Sequence, residues 1–470
     1  MKIKLSHLFV SILFFSYLFS FTAYASQDPF ADFESFENTS AKFNFNGSLE
    51  FRGLYSPENN QDSGGYNNYE LKTNLNFRYG TTDFYIQADI NVFNDIDNES
   101  EYLDSYSHDK ESDFSRNGTF SSRNSEISPR EFYINYEKGG IRLRAGNQLY
   151  HWGTADVINP ASYFNPYDLR KFIFNNKDNE LNISVFSFSA EVFSGSDSLE
   201  LVLVPFHTPS RMPVSQSFWG INYREGPFPV ILDKEAKLDH DISGSAAGIR
   251  YYKNINGFDT HLSLFRGPDK TPYFLPEKTE SQPGKPVSIV VKPETKPLSM
   301  AGIAVSNTMG RFIFQCEAVY SPDKPGVVDK NISSSPIETI LPFETKRSDF
   351  FSFSAGFNYF LPFSPSKEGI FTFEWNKSEF LDKTIMKPFF SDVFYIRISE
   401  KFLHNKLEAS VSAVLNRADS FYAGVPLIKY KISDTVNTEL TYTFIKSKNN
   451  EVFSGYNKND FFEWRLCYEF

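Results

Sequence analysis

The densest set of groups that could act on a charged or polar molecule lies between residues 129 and 171. Arg142, Arg144, Gln148, Asp156, Asp168, Arg170 and Lys171 fall here, beside Trp152-Gly153 and the Asn-Pro steps 159–160 and 165–166. Both signs of charge are interleaved with amides, and no nucleophile motif accompanies them. Such groups sort and orient solutes rather than break bonds, because charge and narrow points decide what passes a pore. Each Asn-Pro step holds the chain extended and gives it a rigid path. Asp156, Asp168, Arg170 and Lys171 are expected to pair with Arg142, Arg144 and Gln148. That pairing would draw the segment 150–181 into whatever space those three face.

Other chemistry is less well supplied. Asp95, Asp97, Glu99, Glu101, Asp104, Asp109, Glu111 and Asp113 form an acidic run. Oxygen-rich loops hold Ca²⁺, but the EF-hand spacing and its turn glycine are missing. The expectation is a solvated loop within reach of the divalent cations that bridge lipopolysaccharide. Histidines 108, 151, 207, 240, 261 and 404 are scattered, without metal-ligand spacing. There is no Gly-rich phosphate loop and no dinucleotide fingerprint. A hydrolytic triad assembles across a fold and leaves little local trace, yet nothing here marks a nucleophile. No catalysis, cofactor or metal is expected.

The elements that must position these groups alternate. Phe84, Ile86, Ala88, Ile90 and Val92 oppose Asp83, Tyr85, Gln87, Asp89 and Asn91; Leu407, Ala409, Val411 and Ala413 oppose Glu408, Ser410 and Ser412. At the end of the chain Phe462, Trp464, Leu466, Tyr468 and Phe470 oppose Phe461, Glu463, Arg465, Cys467 and Glu469. A strand with one oily and one wet face can sit between lipid and a polar interior. About 18 such segments recur. They begin near residues 42, 69, 83, 130, 141, 183, 198, 244, 258, 299, 311, 350, 369, 392, 406, 421, 436 and 460, and each has about the 9–11 residues of a tilted membrane strand. The segments near Ile183 and Phe421 are the least regular, the latter because Pro426 removes a ladder donor. Short turns rich in Gly, Asn, Asp and Ser alternate with long links, as in barrels with short periplasmic turns and long external loops.

The ends point the same way. Lys2 and Lys4 precede an apolar stretch, Leu8 to Ala23, and Ala23-Tyr24-Ala25 has the small-x-small pattern of a cleavage site. Residues 1–25 are therefore expected to be a signal peptide, 26–41 a polar lead-in and 42–470 the barrel. No later run of 18 apolar residues could form a spanning helix, which leaves a closed barrel as the way across a membrane. Formal charge is −11. Losing Lys2 and Lys4 takes it to −13, which argues against nucleic-acid binding. Aromatic residues make up 17% of the chain, suiting a lipid-facing belt and its girdles. Cys316 is expected to face lipid and Cys467 the lumen, too opposed for a disulfide. The expected lumen face carries Arg52, Lys72, Arg78, Arg142, Arg144, Arg250, Arg397, Lys429 and Lys431 against Glu50, Glu70, Asp83, Asp89, Glu131, Glu317, Glu374, Glu408 and Glu439.

One stretch resembles a known family. Arg144-Ala145-Gly146-Asn147-Gln148, Trp152-Gly153, Asp156, Asn159-Pro160 and Asp168-Leu169-Arg170 are followed by Pro205-Phe206 and Pro209-Ser210-Arg211-Met212-Pro213. This order is similar to that of uncharacterised porin-like outer-membrane barrels, grouped as a domain of unknown function. Asn147 is a minor departure from it. The resemblance covers about residues 129–213 and implies the fold but no cargo. The C-terminal pattern ended by Phe470, with Trp464 and Tyr468, resembles the assembly signal of outer-membrane barrels.

The expectation is thus an all-β, transmembrane, antiparallel up-and-down barrel of about 18 strands (16–18) in the bacterial outer membrane. Its function would be passive diffusion of small polar solutes, with the third external loop (150–181) narrowing the pore. Outer-membrane lipid, lipopolysaccharide and the barrel-assembly machinery are the expected partners, with an oligomer possible and no nucleic acid. The rival readings are a carrier for hydrophobic molecules, which would need an apolar lumen patch and a lateral opening beside Gly424 and Pro426, or a structural or adhesive barrel.

Overall fold

Strands that are apolar on one face can cross a bilayer only when every backbone group is paired, so the last strand must meet the first. The structure, a computed structural model, describes residues 42–56, 65–79, 82–94, 113–114, 120–122, 125–169, 181–208, 210–211, 230–232, 244–270, 273–278, 289–328, 345–388, 390–418, 420–448, 456–457 and 459–470. The expected signal peptide and lead-in lie outside these residues, as does the acidic run apart from the Asp113 backbone.

The wall strands are β1 (Lys42–Tyr55), β2 (Gly65–Tyr79), β3 (Thr82–Asn94), β4 (Ser125–Lys138), β5 (Ile141–Gln148) and β6 (Val185–Ser194). Next come β7 (Asp197–Val204), β8 (Ala246–Ile255), β9 (Phe258–Pro268), β10 (Pro297–Met309), β11 (Phe312–Val327) and β12 (Thr345–Phe360). The last are β13 (Ile370–Phe380), β14 (Asp392–Phe402), β15 (Leu407–Asn416), β16 (Phe421–Lys431), β17 (Val436–Ser447) and β18 (Phe461–Glu469). The sheet contains 20 strands. Two of them, Asp113–Phe114 and Phe120–Ser122, are short pieces of the β3–β4 loop. The remaining 18 pair each with the next, and β18 returns antiparallel to β1. Eighteen is within the expected range, and each expected segment coincides with a strand.

The closing seam joins β18 to β1 through backbone and rings alike. Tyr468 lies opposite Leu49 and Trp464 opposite Gly53. Phe470 and Gly47 exchange both backbone hydrogen bonds, at 3.0 and 3.1 Å. The Phe470 ring sits 5.7 Å from Phe45, and Trp464 meets Phe51 edge-on at 5.4 Å. These rings all face outward, like the exposed Leu199, Leu201 and Leu203 of β7, while the intervening Glu200, Val202 and Val204 are buried inside. Cys316 is exposed on the outward face and Cys467 half-buried on the inward one, both as free thiols.

Turn chemistry follows the short links. Gly139 and Gly140 have φ of 61° and 77°, the two successive left-handed residues that a primed hairpin turn requires. At Pro426 the strand keeps its register on both sides. On the β17 side Gly424 pairs with Phe444 and Leu427 with Thr441 at the same offset, while Val425 and Pro426 between them make no ladder pair; β15 pairs along β16 without interruption, and the Phe444 ring lies over Gly424 where a Cβ would be. The strand thus keeps its register past the proline, with the β16–β17 ladder interrupted only at Val425 and Pro426. Outside the wall, Val230–Leu232, Ile289–Glu294 and Tyr273–Lys278 form a three-stranded sheet from two long loops.

Candidate functional site

An 18-stranded barrel is too wide to be filled by strand side chains alone, so what reaches inward from the loops matters. The β5–β6 loop does so, beginning at Leu149. Asn165 ties its two ends together. Its Oδ1 accepts from the Tyr150 amide at 2.7 Å, and its Nδ2 donates to the carbonyls of Gln148 (3.1 Å) and Ile183 (2.9 Å). Gln148 is locked to the wall, donating to Ser187 Oγ at 3.0 Å and accepting from Ser189 at 3.2 Å. Leu149 donates its amide to Glu131 at 3.1 Å.

From this base an aromatic wedge packs against the inward faces of β6 to β11. Trp152, only 1% exposed, meets Phe164 edge-on at 4.9 Å, and Tyr163 stacks on Phe265 at 5.3 Å. Val185, Val202, Val204, Ala246, Leu298 and Val319 complete the cluster. Inward-facing glycines make room for these rings. A Cβ on Gly248 would lie 2.7 Å from Phe164 and 2.9 Å from Trp152, and one on Gly302 would collide with the Tyr163 hydroxyl. Burial holds the Tyr150 and Tyr163 phenols above their usual pKa, so both stay neutral.

Three wall glutamates then receive the loop in succession. Glu200 of β7 accepts from Trp152 Nε1 at 2.9 Å and pairs with Arg250 at 2.9 Å. Glu317 of β11 accepts from the Thr154 amide at 2.9 Å. Glu374 of β13 accepts from the amides of Asp156, Val157 and Ile158 at 2.8, 3.2 and 3.1 Å, and from Asn376 at 2.7 Å. Gly153 has φ of 136°, and a Cβ there would strike the Glu317 carboxylate and the Asn159 amide group. Buried carboxylates are tolerable only when donors surround them, and for Glu317 and Glu374 most of the donors are loop backbone. These glutamates stand three to five residues above the short-turn ends of their strands, roughly 10–17 Å along the wall. The loop thus reaches well down the barrel. At its tip, Val157 and Ile158 pack against an apolar group on the remaining arc: Leu54, Val393, Val414, Phe421, Ala423, Ile445 and Phe461.

Among the described residues the pairings expected from sequence are not made. Arg142 binds Glu137 at 2.9 Å and Glu191 at 3.1 Å, with its guanidinium 4.8 Å over Phe193. Arg144 donates to Asn135 at 3.2 Å and lies 5.2 Å over Tyr133. Cross-strand neighbours sit about 5 Å away on the same face, so they take up these groups while the aromatic wedge turns the loop toward β7–β13. Asp156 instead accepts from Asn358 at 3.0 Å and Gln315 at 3.4 Å. Asp168 lies beside Arg211, 3.8 Å away, which also holds Glu126 at 2.9 Å. Arg170, Lys171 and the side chain of Asp89 fall outside the described residues.

The two halves of the motif read from sequence do meet. The Leu169 amide donates to the Arg211 carbonyl at 2.8 Å, the Arg211 amide to Tyr167 at 2.9 Å, and the Tyr167 amide to Ser210 Oγ at 3.0 Å. Lys270 then bridges the Ser162 carbonyl and the Tyr167 hydroxyl. Sequence reasoning missed Glu200 altogether and placed Glu317 and Glu374 only among lumen charges. Glycines at inward positions 248 and 302 were the available sign that something bulky covers this arc.

Solved structures with similar architecture include a BenF-like porin from Pseudomonas fluorescens Pf-5, with 8% identity and TM-score 0.48 over 92% of this chain and 98% of that one. OccAB1 of Acinetobacter baumannii (8%, TM-score 0.47, 91% and 95% covered) and OccK1 (OpdK) of Pseudomonas aeruginosa (11%, TM-score 0.47, 91% and 98%) are comparable. Likeness this distant identifies no solute. No curated protein matches the sequence. Residues 55–378, however, match a family described as protein of unknown function (DUF1302), and this span holds both halves of the motif and all three loop-binding glutamates. The chain belongs to that family.

Proposed function

We propose that the protein is a channel of the bacterial outer membrane for small polar solutes, exported by a cleaved leader, and that its third loop narrows the passage. The capture of successive loop amides by Glu317 and Glu374 supports this reading most. A loop needed only as a rim cap would have no use for acceptors partway down the wall. The rest of the inner face carries both signs of charge, as at Arg52, Glu50, Arg465 and Lys72, which suits polar solutes in general better than one ion. Within this reading Asp156 and Asp168 shape the loop, while Arg142, Arg144 and Gln148 belong to the wall.

The test is single-channel conductance in planar bilayers for the whole chain and for a chain lacking residues 159–168. The shortened chain should conduct several-fold more. Equal conductance would remove the loop from the account, and no conductance in either would remove the channel.

The apolar group at the long-loop end of β14–β18 favours one alternative, a carrier for hydrophobic molecules. The register kept across Pro426, with only Val425 and Pro426 missing from the β16–β17 ladder, weighs against it. Liposome swelling with sugars against uptake of fatty acids separates the two, and sugar entry is the expected result. Trp464, Tyr468 and Phe470 are read as the contact for assembly machinery.

A further inference from the structure

The inward face of β3–β5 sets an aromatic pair beside an arginine. Tyr85 and Tyr133 are cross-strand partners with ring centroids 5.2 Å apart. They stand in a polar stretch of wall and belong to none of the apolar clusters. Arg144 lies over the Tyr133 ring. The inward arginines Arg78, Arg142 and Arg250 all have a carboxylate partner, whereas Arg144 has none among the described residues.

A relay holds that guanidinium in one orientation. Arg78 grips Asp83, Asp83 Oδ2 accepts from Asn135 Nδ2 at 3.2 Å, and Asn135 Oδ1 accepts from Arg144 Nε. With the inner nitrogen fixed, the two terminal nitrogens remain without a carboxylate. A planar fork of that kind matches a carboxylate's two oxygens. The nearby Glu131 is engaged by the Leu149 amide. Across from Tyr133 stands Gly146, which adds no side chain beside the ring.

We infer that Arg144, Tyr133 and Tyr85 form a subsite for a small organic anion with a planar body. The carboxylate takes the Arg144 fork and the ring stacks on the tyrosines. The inference deepens the channel reading by giving it a substrate class, and it rests on that reading.

The experiment is block of KCl current by nicotinate, with the neutral, similarly shaped nicotinamide and the non-planar propionate as comparisons. Nicotinate should half-block at roughly tenfold lower concentration than either. Arg144→Gln and Arg144→Lys should each raise that concentration about tenfold, since a lysine keeps the charge and loses the fork. Tyr133→Leu should raise it about threefold. Heat-modifiable migration on gels shows that each variant has folded. Nicotinate and nicotinamide blocking alike, or a folded Arg144→Gln chain blocked as well as the wild type, overturns the subsite. Equilibrium dialysis of nicotinate against the folded barrel in detergent decides the matter separately from current. Binding without conduction upholds the subsite and sinks the channel; conduction without binding does the reverse.

Discussion

Two arcs of the inner wall use glutamate differently. On β1, β2 and β18, Glu50, Glu70 and Glu463 face arginines and a lysine: Arg52 lies 2.9 Å from Glu50 and 3.7 Å from Glu70, Arg465 3.8 Å from Glu50, and Lys72 3.7 Å from Glu70. On β7, β11 and β13, Glu200, Glu317 and Glu374 are buried to the same degree but face the indole and amides of one loop, with Arg250 sharing Glu200. Residue type, face and burial match, and only the partner differs. In the first arc a lost charge can be shared among several mobile side chains. In the second a lost carboxylate strands backbone donors that have no other acceptor. Glutamate is therefore part of the wall in one arc and a fastener in the other.

Substitutions in the two arcs should separate accordingly. Glu374→Ala is expected to act most strongly. It strands three amides, each costing about 1–3 kcal/mol when buried without a partner, and should free the loop tip. Single-channel conductance should rise several-fold while the barrel still migrates as folded. Gly153→Ala should come next. Its φ of 136° and the contact with Glu317 make any side chain a strain of about 1–3 kcal/mol. Chymotrypsin should then cut after Tyr163 or Phe164 in the folded variant and leave the wild type intact. Smallest in conductance is Arg52→Gln on the other arc. It leaves Glu50 near Arg465, so current should stay within about a factor of two, while the reversal potential in a salt gradient shifts toward cations. Equal gains in conductance from Glu374→Ala and Arg52→Gln would erase the distinction between the arcs.

Much of the wall was legible in the sequence because alternation is local: the period of two and the turn residues locate every strand, including the two irregular ones near Ile183 and Phe421. The loop's route was not, because its partners are remote. Asp156 and Glu374 are separated by 218 residues, and nothing in the spacing of either says they meet. Charge counting misled for a related reason. Arg142 and Arg144 look available to the loop on paper, yet Glu137 and Glu191 hold Arg142, and Asn135 turns the Arg144 guanidinium by its inner nitrogen. Pro426 shows the opposite case. A lone proline reads as a defect, but β15 on one side and the Phe444 ring on the other hold the wall in register.

The central claim is that the third loop lies across the barrel interior, fastened to β11–β13. It is tested most directly by cross-linking an Asp156→Cys, Asn358→Cys pair in intact membranes, with Cys316 and Cys467 first changed to serine. The native side chains are 3.0 Å apart, so a short thiol-to-thiol reagent should join the two positions in nearly every molecule. Cysteines that each react with a monofunctional reagent yet do not cross-link to one another would contradict it.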